Sequence, residues 1–372
     1  MYPRKTVADF LGDRVVYRNL IPADPTLPGL ADIWQEVGLN TLRVPRKTEP
    51  VYAAAAHRLL QAAQARRGLP PLRHLLFIGD TPLNDATSAR NLGEYLPMRG
   101  FIGQDRLTEE KRINLEGSLM FANRWSALAD FLEWAQSEGF IFDQQTVLLL
   151  DLDKTTFGPR GRNDKVIDQA RVTALRLIAQ DCLRDNFDET SLYNIYNHLY
   201  QSRYHPFTRD NQDYLAYITL MAAAQIYPAA RLYADLDGNR LTGFHQFVTV
   251  CDARQAQMKD KLLAIHREVT GYMAKDDPTP FKSFRYGEYQ ATVALMDILP
   301  DDTPLTEILT KEIVMTGEVV EVTEQLAAQG VLTFGFSDKP DEASLPTADV
   351  AAQGSLPLHR VKMKVVGTIS PA

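Results

Sequence analysis

Thr146-Val-Leu-Leu-Leu-Asp151-Leu-Asp153-Lys-Thr155 carries four consecutive apolar residues, Val147 to Leu150, that run without a break into two carboxylates spaced two apart. A short apolar run closed by polar residues is the pattern of a strand buried on both faces, as in a parallel sheet. Two further runs have the same form: HLLFIGD (His74 to Asp80) and GVLTFGFSD (Gly330 to Asp338). All three end abruptly in Gly, Asp or Ser, as strands do when they meet a catalytic edge. Each follows a stretch with helical character: VYAAAAHRLLQAAQARRG, NRWSALADFLEWAQSEG and GEVVEVTEQLAAQG, with Gly68, Gly139 and Gly330 where helix C-caps belong. Repeated helix-to-strand units predict a layered α/β fold with right-handed crossovers.

Between about Gly158 and Pro300 strand-like runs nearly vanish. Long amphipathic segments replace them, among them KVIDQARVTALRLIAQDCL, DYLAYITLMAAAQIY and MKDKLLAIHREVTGYMAK. The spacing predicts an α/β core in two parts, residues 1–157 and 311–372, with a helical domain at 158–310 inserted between them. The alternating stretch Val361 to Val366 reads as one more strand, closing the core.

Composition narrows the function classes. Of 372 residues, 45% are hydrophobic and 23% charged, ordinary for a globular protein, and at roughly 150 residues per domain this is two domains or one elaborated one. The 40 Lys and Arg are outnumbered by 47 Asp and Glu and are scattered, so no nucleic-acid partner is expected. Cys182 and Cys251 lie far apart with no metal-ligand spacing, which speaks against disulfides and structural zinc. With neither a secretory signal in MYPRKTVADFLGDRV nor a membrane-spanning apolar run, the expectation is a cytoplasmic protein without a membrane partner. Oligomeric state is not encoded in any motif.

The chemistry concentrates at two strand ends. Asp151 and Asp153 can face one crevice where the chain leaves extended geometry, one as nucleophile and the other to protonate a leaving group and then activate water. Taken alone the pair reads equally as a surface turn. Gly79-Asp80-Thr-Pro-Leu-Asn84-Asp85 also follows an apolar strand and precedes a helix; by itself it reads as a strand-to-helix turn with an Asp cap. Further carboxylates crowded beside the first pair would call for a hard cation such as Mg²⁺.

Together these motifs resemble those of haloacid dehalogenase (HAD) superfamily hydrolases, mostly Mg²⁺-dependent phosphatases. DLDKT is similar to the family's first motif, DxDx(T/V), and GDTPLND to its fourth, GDxxxxD. The resemblance implies a Rossmann-like three-layer core. It makes Asp151 the nucleophile and Asp153 the general acid/base. Asp80 becomes a metal ligand and Asp85 a direct or indirect one. Asp151 and the backbone carbonyl of Asp153 complete the metal set, and Thr155 joins the substrate-binding residues. The motif order departs from the family, since the fourth precedes the first by about seventy residues. A circular permutation with its break between the second and third motifs accommodates this. It demands a strand ending in Ser or Thr after the helical insert, met by Ser337, and a basic residue opening the helix before GDTPLND, met by Lys47. In the family these two grip the phosphoryl oxygens. Arg46 is an alternative to Lys47, and Lys339 stands ready beside Ser337.

The insert matches the family's cap domain in position. Gly158-Pro-Arg160-Gly-Arg162-Asn163 then falls in the hinge or flap, where Arg160 and Arg162 either meet an anionic substrate or are solvated loop charges. Asp235-Leu-Asp237-Gly-Asn239 lacks the Gly and Glu of a calcium loop, with Arg240 and Gln246 at those places, and reads as a polar turn. His198 and His205, among Tyr193, Tyr196, Tyr200 and Tyr204, read as packing before cleft lining. No GxSxG, GxxxxGK(S/T) or GxGxxG element appears. The expectation is a Mg²⁺-dependent phosphatase acting on a small phosphorylated metabolite. The alternatives are a phosphotransferase or a HAD-like scaffold with little activity.

Overall fold

The computed structural model describes residues 2–209 and 211–369. Its strands are β1 (Arg4–Lys5), β2 (Val15–Val16), β3 (His74–Gly79), β4 (Met98–Gly103), β5 (Ile113–Glu116), β6 (Leu119–Ala122), β7 (Thr146–Asp151), β8 (Met315–Thr316), β9 (Leu332–Phe336) and β10 (Met363–Val366). Seven of them form one sheet in the order β2-β9-β7-β3-β4-β6-β5, parallel throughout except for the β5–β6 hairpin. The protein is therefore α/β with a mostly parallel sheet. The strand that ends in Asp151 lies near the middle, between β9 and β3.

Side chains alternate across the sheet. On one face Leu75, Phe77, Val147, Leu149, Leu332 and Phe334 form a core with Tyr52, Leu59 and Leu60 of the helix Pro50–Arg66 and Ala86 and Ala89 of the helix Asn84–Leu92. Leu76, Ile78, Leu148 and Leu150, equally buried, point to the other face. That side is served by the helices Leu128–Ser137 and Gly317–Ala328, which bury Phe131, Leu132, Val319, Val322 and Leu326. Each fully buried Leu or Phe contributes about 1.5–3 kcal/mol, so the sheet interior dominates the stability of this unit.

The chain divides into two compact units. One comprises Met1–Asp168, Val293–Leu345 and Gly354–Ala372; the other comprises Gln169–Thr292 and Pro346–Gln353. The expected helical domain at 158–310 is thus trimmed at both ends. Asn163 explains why: its side chain donates to the carbonyls of Leu309 and Glu312 at 2.8 and 2.9 Å and accepts from the Val314 amide at 3.0 Å, which ties both flanks to the sheet unit. The expected closing strand is also corrected. β10 pairs with β1 and β8 in a separate three-stranded sheet and not with the main one, because Val365 and Val366 register on Met315 and Thr316.

In the helical unit Gln212–Ala223 is buried on nearly every side, and Tyr217, Phe244, Phe247, Phe281 and Phe284 fill its core. Arg285 is buried between Asp213 and Glu288, at 2.6 Å from each. Tyr196 and Tyr204 are buried, and His198 is hydrogen-bonded to the Tyr204 hydroxyl at 2.7 Å, so these three pack, whereas Tyr200 is exposed. Asp235 accepts from the Tyr227 hydroxyl and Arg240 Nε, both at 2.6 Å, as the helix Ala229–Asp237 ends. No described helix is long and apolar enough to cross a membrane.

Candidate active site

β7 delivers Asp151 to the carboxyl edge of the sheet, and the next residues turn back at once. The Leu152 carbonyl accepts from the amides of Thr155, Thr156 and Phe157 at 3.3, 2.9 and 3.2 Å, and Lys154 adopts a left-handed conformation at φ +64°. Outside glycine that conformation costs roughly 1–2 kcal/mol, and here the surrounding bonds enforce it. The Thr156 hydroxyl donates to the Asp151 carbonyl at 2.7 Å, and the Lys154 ammonium is taken up by Asp168 at 2.9 Å.

β3 ends beside β7 in Gly79 and Asp80. A Cβ on Gly79 would lie 2.6 Å from the Cβ of Asp85, so glycine lets the helix start fold onto the strand end. Asp85 Oδ2 accepts from the Thr81 hydroxyl at 2.6 Å, the Thr81 amide at 2.8 Å and the Asp80 amide at 3.1 Å. Asp80, Asp85 and Asp151 are all buried and offer oxygens within 4.8 Å of one another. Lys47, in the turn ahead of Pro50–Arg66, places its buried Nζ 2.5 Å from both Asp85 Oδ1 and Asp151 Oδ1. Arg46 is exposed, so the choice between the two basic residues falls to Lys47.

The expected site residues thus separate into groups. Asp80, Asp85, Asp151 and Lys47 share one cluster. Ser337 follows the last residue of β9, and Phe336 pairs with Asp151. Its buried hydroxyl accepts from the Lys339 amide at 3.2 Å. Asp153 is more exposed than the other carboxylates, at 19% of its side chain against 6% for Asp151, and lies 3.8 Å from the buried Lys339 ammonium. Thr155 is fully buried. Arg160 binds Asp80 through Nε. Arg162 is not available to a substrate: it is held by Asp105 at 2.7 Å, by both Glu318 oxygens at 3.0 and 2.7 Å and by the Val366 carbonyl at 3.0 Å.

Electrostatics follows from the crowding. Burial and the charges of Asp85 and Asp151 push Asp80 well above the ordinary carboxylate range, with Arg160 opposing. Burial likewise raises Asp151 to about 7, against the pull of Lys47. Burial would raise Asp85 too, but there Lys47 and the hydrogen bonds prevail and hold it at about 2. Burial disfavours the charge on Lys47, and Asp151 and Asp85 outweigh it, so the amine stays protonated. Once all three carboxylates are ionised, the two cations Lys47 and Arg160 leave the cluster short of positive charge. Hard, closely spaced oxygens with that deficit fit a divalent cation that prefers oxygen ligands.

Two contributors escaped the sequence reading. Asp105 lies two residues past the end of β4, and it braces Arg162 and the Trp125 amide. The signal was a further strand-then-Asp boundary, GFIGQD. Glu318 gave none, since its partner lies 156 residues away. Compared with protein-family models, curated proteins and solved structures, the chain matches none.

Proposed function

We infer that the protein is a Mg²⁺-dependent phosphatase of HAD type whose motifs are circularly permuted, acting on a small phosphorylated metabolite. One observation carries the reading: strands distant in sequence that lead directly into Ser337, Asp151 and Asp80 are neighbours in the order β9-β7-β3, and Lys47 reaches Asp151 from 104 residues away. A permuted core requires that adjacency, and motifs matched by accident would not supply it.

In this mechanism Asp151 attacks phosphorus, forming a carboxylate–phosphorus bond as the bond to the leaving oxygen breaks. Asp153, the carboxyl group with the best access to solvent, gives that oxygen its proton. It then takes a proton from the water that attacks the aspartyl-phosphate, which releases phosphate and restores Asp151. Lys47 orients the nucleophile and, with the Ser337 hydroxyl, meets the phosphoryl oxygens. Asp80 and Asp85, with Asp151, would hold Mg²⁺, whose charge offsets the negative charge of the phosphoryl group. The amides of Thr155, Thr156 and Phe157, bonded to the Leu152 carbonyl, hold the backbone between Asp151 and Asp153. The helical unit, inserted in sequence after the first motif, takes the part of the cap that selects the substrate.

Hydrolysis of an aryl phosphate tests this directly. The expected result is turnover that needs Mg²⁺, stops with chelator and is lost in Asp151→Asn. Turnover that survives the substitution would overturn the nucleophile and with it the mechanism.

A further inference from the structure

Beside Asp80 the carboxyl edge of the sheet opens into a cleft of about 210 Å³ to which the mechanism gives no task. Its walls come from the ends of β4 and β6, the start of β5 and the connecting loop, with Gln104, Arg106, Glu109, Arg112, Asn114 and Asn123 supplying the polar surface and Asp80 forming one side. It thus lies on the edge where ligands bind in open α/β sheets, and it shares a carboxylate with the catalytic cluster.

Arg112 gives the cleft its character. Its backbone is held in place, since its amide donates to Asn123 Oδ1 at 2.7 Å and its carbonyl accepts from the Asn123 amide at 3.2 Å. Asn123 in turn donates to the Glu110 carbonyl at 2.7 Å. Yet the Arg112 guanidinium makes no ion pair or hydrogen bond among the described residues. Arg106, the second cation, is steadied by the Gln104 side-chain oxygen at 3.1 and 3.3 Å and meets one carboxylate, Glu109, at 3.4 Å. A braced loop that presents a free guanidinium to a cleft suits a planar or tetrahedral anion, which such a group grips with two parallel hydrogen bonds. The volume is below the roughly 300–1,000 Å³ of pockets for drug-sized ligands, so the occupant is part of a small metabolite.

The geometry points to a subsite for a second anionic group of the substrate, a carboxylate or a second phosphate, bound by Arg112 and Arg106 while the first phosphoryl group faces Asp151. The assignment rests on the phosphatase reading for the placement of the first phosphate.

Equilibrium titration of the full-length chain with Mg²⁺ tests it with two matched ligand pairs. Fructose 1,6-bisphosphate is compared with fructose 6-phosphate, and 3-phosphoglycerate with glycerol 3-phosphate. The doubly anionic member of at least one pair should bind about tenfold or more tightly, the contribution of one charge-assisted pair. The pair that responds tells phosphate from carboxylate. In an Arg106→Ala/Arg112→Ala variant with an unchanged melting profile the ratio should collapse towards one, and Arg112→Lys should restore part of it. A ratio near one for both pairs in the parent, a ratio that persists in the double variant, or no binding at millimolar ligand overturns the subsite. The phosphatase reading fails by a separate measurement, aryl phosphate hydrolysis with and without Asp151→Asn.

Discussion

Lys47→Met removes the one cation that bridges Asp85 and Asp151 and leaves both carboxylates buried beside Asp80. Breaking a buried pair from one side costs about 3–5 kcal/mol, and chemical denaturation should show a loss of that size. Saturating Mg²⁺ should recover part of it, which a purely structural lysine would not allow. Proton competition supplies a second expectation. Asp151 titrates near 7 and Asp80 is also raised, so below neutral pH both oxygens carry protons that a cation must displace. Mg²⁺ affinity should therefore climb as pH rises through about 7, read by titration between acid and alkaline buffers. Stability without metal moves the other way for this group. A carboxyl raised from 3.8 to about 7 favours the fold while protonated, and that contribution fades as pH rises between those values. Asp85, held at about 2, stabilises above 3.8 and loses its contribution only as pH falls towards 2.

Among the elements, the turn after β3 is tightly specified. Gly79→Ala sets a methyl 2.6 Å from the Asp85 Cβ and 2.9 Å from the Phe77 ring, so the helix start has to move. Overpacking of this kind costs about 1–3 kcal/mol, and Mg²⁺ affinity should drop with it because Asp85 is the group displaced. Leu149→Ala, in the middle of β7, should cost about 2–5 kcal/mol in denaturant unfolding while leaving the carboxylates chemically intact. These same elements explain what the sequence could reveal. β3 and β7 carry unbroken apolar runs because both faces are buried, and β9, equally buried, is interrupted only by Thr333 and Gly335, so all three stand out at sight. β4 is broken by Arg99, Gly100 and Gly103, and β5 is exposed along its whole length, so neither carries the pattern. β2 has two residues and no pattern at all. In the site, Asp80, Asp85, Asp151 and Asp153 were legible because local spacing encodes them. The partner of Arg162 was not, because tertiary contact alone brings Glu318 to it.

For the whole molecule, an ion held only by the folded cluster stabilises by mass action. At a concentration one hundred times its dissociation constant the gain is about 2.7 kcal/mol. For a unit of this size about 2–4 °C accompanies each kcal/mol, so Mg²⁺ should raise the melting temperature by several degrees, and Asp80→Ala should abolish the shift. The arrangement of β2 has a consequence for biosynthesis. Its sole neighbour in the main sheet is β9, which is translated roughly 300 residues later. At about 5–20 residues per second the ribosome delivers that neighbour some 15–60 seconds after β2 emerges. Until then the β7 edge has no cover on that side, a nascent surface open to pairing with other chains. Slower translation would lengthen that exposure, so the yield of folded protein should depend on chaperone supply during synthesis more than on the stability of the finished sheet.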